Sequence, residues 1–514
     1  MKKNKNLLIL GLIFILAVAL RIWFVSGNNI MFWFDQSRDA VIATSIIEDR
    51  DLKIQGPSAG GTDDTVFHGV LYYYLIAPLY YFGGSPQVVV FGLAIFSSLS
   101  VLVIYFMAKD IFSKEKIALL SAFLMAISAV HIQEGAWLSN PVIMILSVPL
   151  FFWMLWKVFF MDQKKYIYWL LFFFGISNQS AIFTVFLLGP LLTAYLYKVN
   201  QEKKVFIFSV KQYFLGGIVY LLTISTMILT ELLMFKRGVL TLNILNKTSE
   251  HFFKGSELVV KISELYLNFV LRILSPTNVL LFFIPLFGLV VMGFLKLDSK
   301  KRFYFLTGIF SILWLLSWHF RTSLHLLIGL NVFIYMLLAV GLWQLKKLFQ
   351  GRWALSLVVI GFVILNLWAL QSARAKRVHL FGIQRGALLA EQIALIEKTY
   401  QLVGEEKFSI STLSAPYGVN VTWAYLYDNY GSKYGFLPKF FGSTQAGWVG
   451  DDLLEEVDGA LPNHFTIIDP DVYLGEGTAE QFLIDQTSFS STPSATYKFG
   501  TLILQHRKGK LVVE

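Results

Sequence analysis

The stretch Trp33–Leu75, WFDQSRDAVIATSIIEDRDLKIQGPSAGGTDDTVFHGVLYYYL, is the one long polar-rich segment in the first half of the chain, and it lies between two apolar runs. Asp35, Arg38 and Asp39 are spaced i, i+3 and i+4, so they share one face of a predicted helix. His68 and an aromatic run follow a glycine-rich turn. Carboxylates, a cation and a histidine beside a membrane indicate a functional site on a loop.

The composition indicates a polytopic membrane protein. Of the 514 residues, 56% are hydrophobic and only 15% are charged, which is far from the average of soluble domains. The net charge of +10 is no nucleic-acid signal, because the lysines form short clusters between apolar runs, as the positive-inside rule predicts. The chain has no cysteine, so disulfide and thiol chemistry are excluded.

Apolar segments recur along the first 371 residues. They are 7–25, 87–108, 117–133, 141–160, 166–197, 212–233, 276–297, 303–318, 322–343 and 353–371. The first has a basic start but no convincing cleavage site, so we predict an uncleaved membrane helix. The longest, 166–197, is predicted to be two short helices that turn at Gly175–Ser180. The eleven spans that result put every short basic loop inside, the N-terminus inside and the C-terminus outside.

The last 140 or so residues differ in composition. Gly386–Gly404 predicts an amphipathic helix with Leu389, Ile393, Ile396 and Tyr400 on one face, and Gly404 is a natural helix end. Strands are predicted at Phe408–Thr412, His464–Ile468 and Tyr497–His506, the last as a hairpin at Gly500. We therefore predict a membrane module over 1–371, with a first external loop at 26–86, and a small external α/β domain over 372–514.

Each candidate residue also has a structural explanation. Asp35 could act as a general base or cation ligand, or it could cap the helix that follows. Arg38 could grip a phosphate or simply pair with Asp39. His68 could bind phosphate or metal, or be an interfacial side chain. The tyrosines Tyr72, Tyr73, Tyr74, Tyr80 and Tyr81 most simply form an aromatic belt at the membrane surface, and sugar stacking is the sharper alternative.

Further polar groups converge on the predicted external face. Glu134 lies at the outer end of the third span, where a carboxylate is costly unless it is paired, functional or facing the loop. Glu231 and Arg237 stand at the end of a later span, and His319 and Arg321 at another helix junction. Long side chains at such positions can also snorkel to the interface.

The sequence resembles the GT-C superfamily of membrane glycosyltransferases over roughly residues 1–370. The resemblance is carried by the acidic motif Phe34–Asp39 after the first helix and by His68–Leu75, HGVLYYYL. The branch is that of the protein O-mannosyltransferases and aminoarabinose transferases, including the bacterial Rgt-like enzymes. Glu231–Gly238, ELLMFKRG, resembles an acidic-basic segment of the bacterial members. The family's histidine motif continues with prolines, whereas Gly69 and Val70 follow here.

The resemblance implies inverting transfer of a sugar from a polyprenyl-phosphate donor to an envelope lipid, glycan or protein, on the outer face of the cell membrane. It assigns the leading acid to Asp35, as general base, and the second carboxylate to Glu134. Arg38, His68, Arg237 and Arg321 are the predicted donor-phosphate ligands. Contacts to substrate are predicted for Asp39, Tyr72, Glu231 and His319. The resemblance assigns no definite cofactor, and a divalent ion on Asp35 and His68 is compatible with the residue types.

Two alternatives from other classes remain. A lipid-linked sugar transporter or flippase would need polar residues along a path through the membrane midplane. A non-catalytic membrane scaffold would tolerate substitution of the Asp35–His68 cluster. The predicted partners are the sugar donor, an envelope acceptor and the lipid bilayer, with no nucleic acid.

Overall fold

A computed structural model describes residues 2–59, 66–237, 255–277, 279–313, 324–348, 353–380, 388–414, 416–442, 449–469 and 477–510. The helices of the first half are α1 (Lys2–Val25), α2 (Phe34–Glu48), α3 (Leu71–Gly83), α4 (Pro86–Phe112), α5 (Glu115–Ile127), α6 (Ala129–Gly135), α7 (Met144–Leu155), α8 (Ile167–Ser180), α9 (Leu188–Glu202), α10 (Val210–Thr223) and α11 (Ser225–Lys236). Those that follow are α12 (Gly255–Leu274), α13 (Leu280–Leu295), α14 (Ser299–Ile309), α15 (Asn331–Leu348), α16 (Trp353–Lys376), α17 (Leu389–Val403), α18 (Val421–Gly431) and α19 (Thr478–Phe489).

Within the described ranges, five helical segments are long and apolar enough to cross a membrane. They are Asn4–Val25, Pro86–Phe112, Asn140–Phe160, Ile182–Glu202 and Trp353–Lys376. The pairs α5–α6 and α10–α11 are each bent by 66° at a short break, and counting each as one span gives up to seven. The chain is therefore a multi-pass helical protein. The count of eleven and the orientation stay predictions.

The long apolar run is divided into two helices as predicted, but the predicted turn at Gly175–Ser180 is wrong, because these residues form the last turns of α8. Helix α8 ends at Ser180, Ala181 is extended, and a 3₁₀ turn leads into α9. Polar groups at the break bond across to another segment, because Ser180 Oγ donates to the Asn140 carbonyl at 2.7 Å and Asn140 Nδ2 donates to the Ser180 carbonyl at 2.5 Å. These bonds compensate the backbone polarity that an interrupted helix leaves inside the protein.

The C-terminal part forms a five-stranded sheet, and the predicted strands and helix are confirmed. The strands are β1 (Phe408–Leu413), β2 (Lys439–Phe440), β3 (Asn463–Ile468), β4 (Ala495–Phe499) and β5 (Leu502–Lys508), in the order β2-β1-β3-β5-β4. Strands β1, β2 and β3 are parallel, whereas β4 and β5 form an antiparallel hairpin. Gly500 has a φ of +62° in the hairpin turn, which glycine adopts without strain.

This α/β unit is seated on the first loop. The Gln392 amide donates to the Phe32 carbonyl at 2.7 Å, and the Leu389 N–H donates to the Ile30 carbonyl at 2.9 Å. Helix α18 packs against α2, with the Phe32 and Tyr425 rings 5.5 Å apart. The helix that carries Asp35 therefore lies between the helical bundle and the α/β unit.

Candidate active site on the first-loop helix

Helix α2 begins after Trp33, which is extended and is the N-cap residue. The Gln36 side chain closes the first turn by accepting the Trp33 N–H at 3.0 Å, while its amide donates to the Leu138 carbonyl at 3.0 Å. The predicted alternative that Asp35 caps this helix is wrong, because Asp35 is already the second helical residue. Its carboxylate is therefore available for other contacts, and at this position the helix dipole stabilises its charge.

Arg38 contacts both aspartates, and its contact with Asp35 is the one that the i, i+3 spacing predicts. Its Nη1 lies 2.9 Å from Asp35 Oδ1, and its Nε and Nη2 lie 3.0 and 2.7 Å from Asp39 Oδ1. The exposed fractions of the side chains are 62% for Asp35, 15% for Arg38 and 2% for Asp39. The buried Asp39 carboxylate thus holds the guanidinium from inside the protein, and the Asp35 carboxylate contacts it from the solvent-exposed side.

The electrostatics of this trio follow from burial. Burial raises the pKa of Asp39 to about 6, although the adjacent Arg38 charge acts in the opposite direction. Burial alone would lower the pKa of Arg38, but the carboxylates of Asp39 and Asp35 raise it above its ordinary value. Arg38 is therefore a permanent cation. Tyr73 is buried beside the trio, and burial raises the pKa of its phenol, which stays neutral.

His68 is positioned by the break after α8. Its Nδ1 accepts the Ile182 N–H at 3.1 Å, and its ring meets Phe183 edge-on. Burial lowers the pKa of His68 to about 3, with smaller contributions from His325 and Arg38. The predicted cationic role is therefore not available at neutral pH. Because Nδ1 is the acceptor, the ring proton resides on Nε2, which makes that nitrogen a neutral donor.

Gln179 holds the strand-like segment that carries His68, and sequence reasoning missed it. Its carbonyl accepts the Gly69 N–H at 2.9 Å, and its amide donates to the Thr223 carbonyl and to Thr226 Oγ1, both at 2.8 Å. The sequence did contain one signal, because Gln179 belongs to the polar run Gly175–Ser180. The segment that these polar groups hold is distant in sequence, so a local pattern could not identify it.

Glu134 lies in a buried network apart from the aspartates. Its Oε2 accepts the Asn331 amide at 2.7 Å and lies 3.4 Å from His131 Nδ1. Arg21 is fully buried and interacts with Glu134 through its charge. Glu134 is 3% exposed, so the alternative of a loop-facing carboxylate is excluded. A link to the first loop does exist, because the next turn supplies the Leu138 carbonyl to Gln36.

The other predicted site residues are on or after α11, or outside the described residues. Arg237 follows α11 and is exposed, and Glu231 lies half-buried on α11. This helix does touch the first loop, since Thr230 Oγ1 donates to the Ile54 carbonyl at 2.9 Å. His319 and Arg321 lie outside the described residues.

The tyrosines do not form one belt at the surface. Tyr72, Tyr73 and Tyr80 are at most 4% exposed and face the protein, whereas Tyr74 and Tyr81 are 36% and 59% exposed. The expectation of a common belt is therefore wrong for the three buried tyrosines. The buried residues Tyr72, Ile76 and Tyr80 are four residues apart and so share one face of α3. Helix α3 packs against α2.

Asp35 and His68 do not fit a metal site. The Asp35 carboxylate pairs with Arg38, and the His68 Nδ1 is used by Ile182. In the part of the chain that the structure describes, no three His, Asp or Glu side chains form a group that could hold a metal ion. Divalent ions in proteins usually need more ligands than these two residues supply.

The multi-pass helical bundle, with the C-terminal α/β unit seated on its first-loop helix, is a fold shared with solved structures. ArnT from Cupriavidus metallidurans bound to undecaprenyl phosphate aligns with a TM-score of 0.58 at 11% identity, over 96% of this chain and 97% of that chain. The apo state of the same protein gives 0.58 at 12% identity with the same coverage. AglB from Archaeoglobus fulgidus, in complex with an inhibitory peptide and a dolichol-phosphate, gives 0.47 at 13% identity, over 91% and 70%.

Residues 68–229 match the family described as dolichyl-phosphate-mannose-protein mannosyltransferase. No curated protein sequence matches the chain significantly. The family match and the fold shared with ArnT support the resemblance to the GT-C superfamily predicted from the sequence.

Proposed function

We propose that this protein transfers a sugar from a polyprenyl-phosphate donor to an envelope lipid, glycan or protein, with inversion, on the external face of the cell membrane. The single observation that carries the proposal is the exposed Asp35 carboxylate next to a buried, permanently charged arginine. The ArnT neighbour was solved with undecaprenyl phosphate, which favours a lipid-phosphate donor for this chain as well.

In the proposed reaction, the acceptor hydroxyl oxygen attacks the anomeric carbon and the bond from that carbon to the phosphate oxygen breaks. Asp35 accepts the hydroxyl proton as general base. The polyprenyl phosphate leaves with the electron pair, and Arg38 stabilises the charge that develops there. Arginine has five N–H donors, and the two aspartates use three of them in the contacts above, so a phosphate oxygen can be bound by the remaining donors.

The other predicted site residues have supporting roles in the proposed reaction. His68 contributes a neutral Nε2–H donor near the phosphate. Asp39 acts through Arg38 as a positioning residue. Arg237 and Arg321 are further phosphate ligands, and Tyr72, Glu231 and His319 are substrate contacts. Glu134 is the second acidic residue, as an acceptor-orienting group or as a positioning group acting through the Gln36–Leu138 contact.

The buried network around Glu134 bears on the transport alternative. A flippase needs a polar path that water or a headgroup can enter. Arg21, His131 and Asn331 are each 0% exposed, so the network is enclosed. Movement of intact donor lipid across the bilayer without sugar transfer would support transport over transfer.

The test is a transfer assay in nanodiscs with a panel of sugar-labelled polyprenyl-phosphate donors and cell-envelope extract as acceptor. Asp35→Asn is nearly isosteric and removes the basicity, so we expect transfer to fall by about 10²–10⁴-fold with donor binding retained. The matched control is Asp49→Asn, an exposed carboxylate at the C-cap of the same helix, which should transfer like wild type. Equal transfer by Asp35→Asn and wild type would remove Asp35 from the mechanism and direct attention to Glu134.

A further inference from the structure

Helix α18 of the α/β unit meets α3 of the first loop beside the proposed reaction centre. The Asn429 amide donates to the Gly84 carbonyl at 2.8 Å, at the end of α3. Tyr80 of α3 interacts electrostatically with Tyr425 and Tyr430, and Tyr425 with Asp428. We name the surface formed by Tyr80, Tyr425, Asp428 and Tyr430 the tyrosine seam.

The seam contains buried polar groups that need a partner. Tyr80 is 4% exposed, and its hydroxyl has no hydrogen-bond partner among the described residues. The same holds for the fully buried Tyr72, two turns earlier on the same face of α3. Both hydroxyls interact electrostatically with Asp39. Buried hydroxyls of this kind are normally satisfied by water or by a bound molecule.

Asp428 is a carboxylate without a compensating charge at the rim of the seam. It is exposed, and no described residue forms an ion pair or hydrogen bond with it. Partial burial raises its pKa. The lysine that follows in the sequence, Lys433, is engaged with Glu397 at 2.9 Å. An unpaired carboxylate beside aromatic rings is a common component of binding sites.

We propose that the tyrosine seam binds the acceptor and that the acceptor is a neutral carbohydrate, an inference that rests on the transferase function proposed above. Tyrosine hydroxyls both donate and accept hydrogen bonds and a carboxylate accepts them, which matches the many hydroxyls of a sugar. Tyrosine rings add a rigid amphipathic surface for the apolar face of a sugar ring. None of the four seam residues is cationic, so an anionic acceptor would be repelled by Asp428.

The location of the seam connects this site to the chemistry. Helix α18 is held on α2 by the Ser37–Thr422 hydrogen bond of 3.0 Å, one residue from Arg38. Tyr72 lies between the seam and Asp39 in the chain of electrostatic contacts. A glycan held at the seam can therefore present its terminal hydroxyl group toward Asp35.

The test measures binding separately from turnover. Wild type, Asp428→Asn, Tyr430→Ala and Tyr430→Phe would be reconstituted in nanodiscs and titrated with fluorescently labelled neutral oligosaccharides released from envelope glycans. We expect at least tenfold weaker binding for Asp428→Asn and Tyr430→Ala, and a smaller loss for Tyr430→Phe, which keeps the ring. The matched control is Glu480→Gln, an exposed carboxylate on α19 of the same unit, which should bind like wild type.

The outcomes separate this inference from the proposed function. If no neutral oligosaccharide binds wild type, or if Asp428→Asn and Tyr430→Ala bind as tightly as Glu480→Gln, the seam is not the acceptor site. Preferential binding of a labelled oligolysine peptide would also overturn the inference, because it would identify the seam as a site for a cation. Glycan binding that depends on the seam, in a protein that transfers no sugar from any donor, would count against the transferase instead.

Discussion

The hydroxyl groups of Ser37 and Thr422 lie 3.0 Å apart although 385 residues separate them in sequence. Ser37 Oγ is also within 2.9 Å of the Trp33 carbonyl one turn back in α2, so Ser37 donates to that carbonyl and accepts from Thr422. Both residues are buried. This bond connects the helix of Asp35 and Arg38 directly to the C-terminal α/β unit, so the unit and the site share one interface.

Replacing Thr422 by valine should loosen that interface. The change keeps the side-chain shape and removes one buried hydrogen bond, at a cost of about 1 kcal/mol. Amide hydrogen exchange in α18 should then be about fivefold faster. The control is Thr487→Val, whose hydroxyl bonds only within α19, and it should leave exchange in α18 unchanged. Unchanged exchange in both variants would show that α18 is held without this bond.

Replacing Asp39 by asparagine should weaken donor binding through Arg38. The variant keeps the shape of the side chain but removes the buried charge that accepts two Arg38 N–H groups. Hydrogen bonds to charged groups contribute about 1.5–3 kcal/mol, so we expect the KM for donor to rise by roughly tenfold or more. Steady-state kinetics at saturating acceptor would measure it. An unchanged KM with a lower kcat would contradict a positioning role.

The titration of Asp39 should make donor binding pH-dependent. The folded-state pKa is raised from 3.8 to about 6, so folded protein takes up the proton at a higher pH than the unfolded chain. The contribution of this group to stability therefore increases as the pH falls from above 6 toward 4. Protonation also weakens the anchor of Arg38, so the wild-type KM for donor should rise below about pH 6. Asp39→Asn should lack that transition.

Replacing Gly69 by alanine should displace the segment that carries His68. A Cβ atom there would lie 1.8 Å from Gln179 Oε1 and 2.8 Å from Gln179 Cα. Overpacking of this kind typically costs about 1–3 kcal/mol, so the thermal midpoint in detergent and the transfer rate should both fall. The control is Gly217→Ala in α10, where a Cβ would meet nothing within 4 Å. A stability as high as that of the control would contradict the close packing at Gly69.

A double substitution can show whether Glu134 contacts the acceptor or only positions other groups. Glu134→Leu leaves the Asn331 amide without its acceptor and removes the carboxylate that interacts with the buried Arg21 charge, which should destabilise the protein by about 1–3 kcal/mol. Arg21→Met combined with Glu134→Leu removes both charges and should recover much of the thermal stability. Transfer that returns with stability in the double variant indicates a positioning role. A stable double variant without transfer would show that Glu134 itself contacts the acceptor.

Local patterns predicted a substantial part of this protein. The i, i+3 spacing predicted the contact of Arg38 with Asp35, because neighbours on a helix face depend only on helical geometry. The contact of Arg38 with Asp39 joins adjacent residues, which helical spacing does not predict. The polar run Gly175–Ser180 predicted that 166–197 forms two helices but misplaced the break, which follows at Ala181, and Gly500 predicted the hairpin. The N-cap of α2 was missed, because Gln36 closes that turn from inside the helix and Asp35 pairs with Arg38 instead.

The sequence by itself determined the membrane character, the division of the apolar run 166–197 into two helices, the strand pattern and the acidic face of α2. Each of these depends on neighbours within about one helical turn or one hairpin. Only the tertiary structure decided that Gln179 holds the His68 segment, that His68 is neutral, that Glu134 is buried and bonded to Asn331, and that α18 packs on α2 and α3. These features depend on burial and on contacts between distant segments. Because burial sets the pKa of a group and selects its partners, the same residue types could not reveal them in isolation.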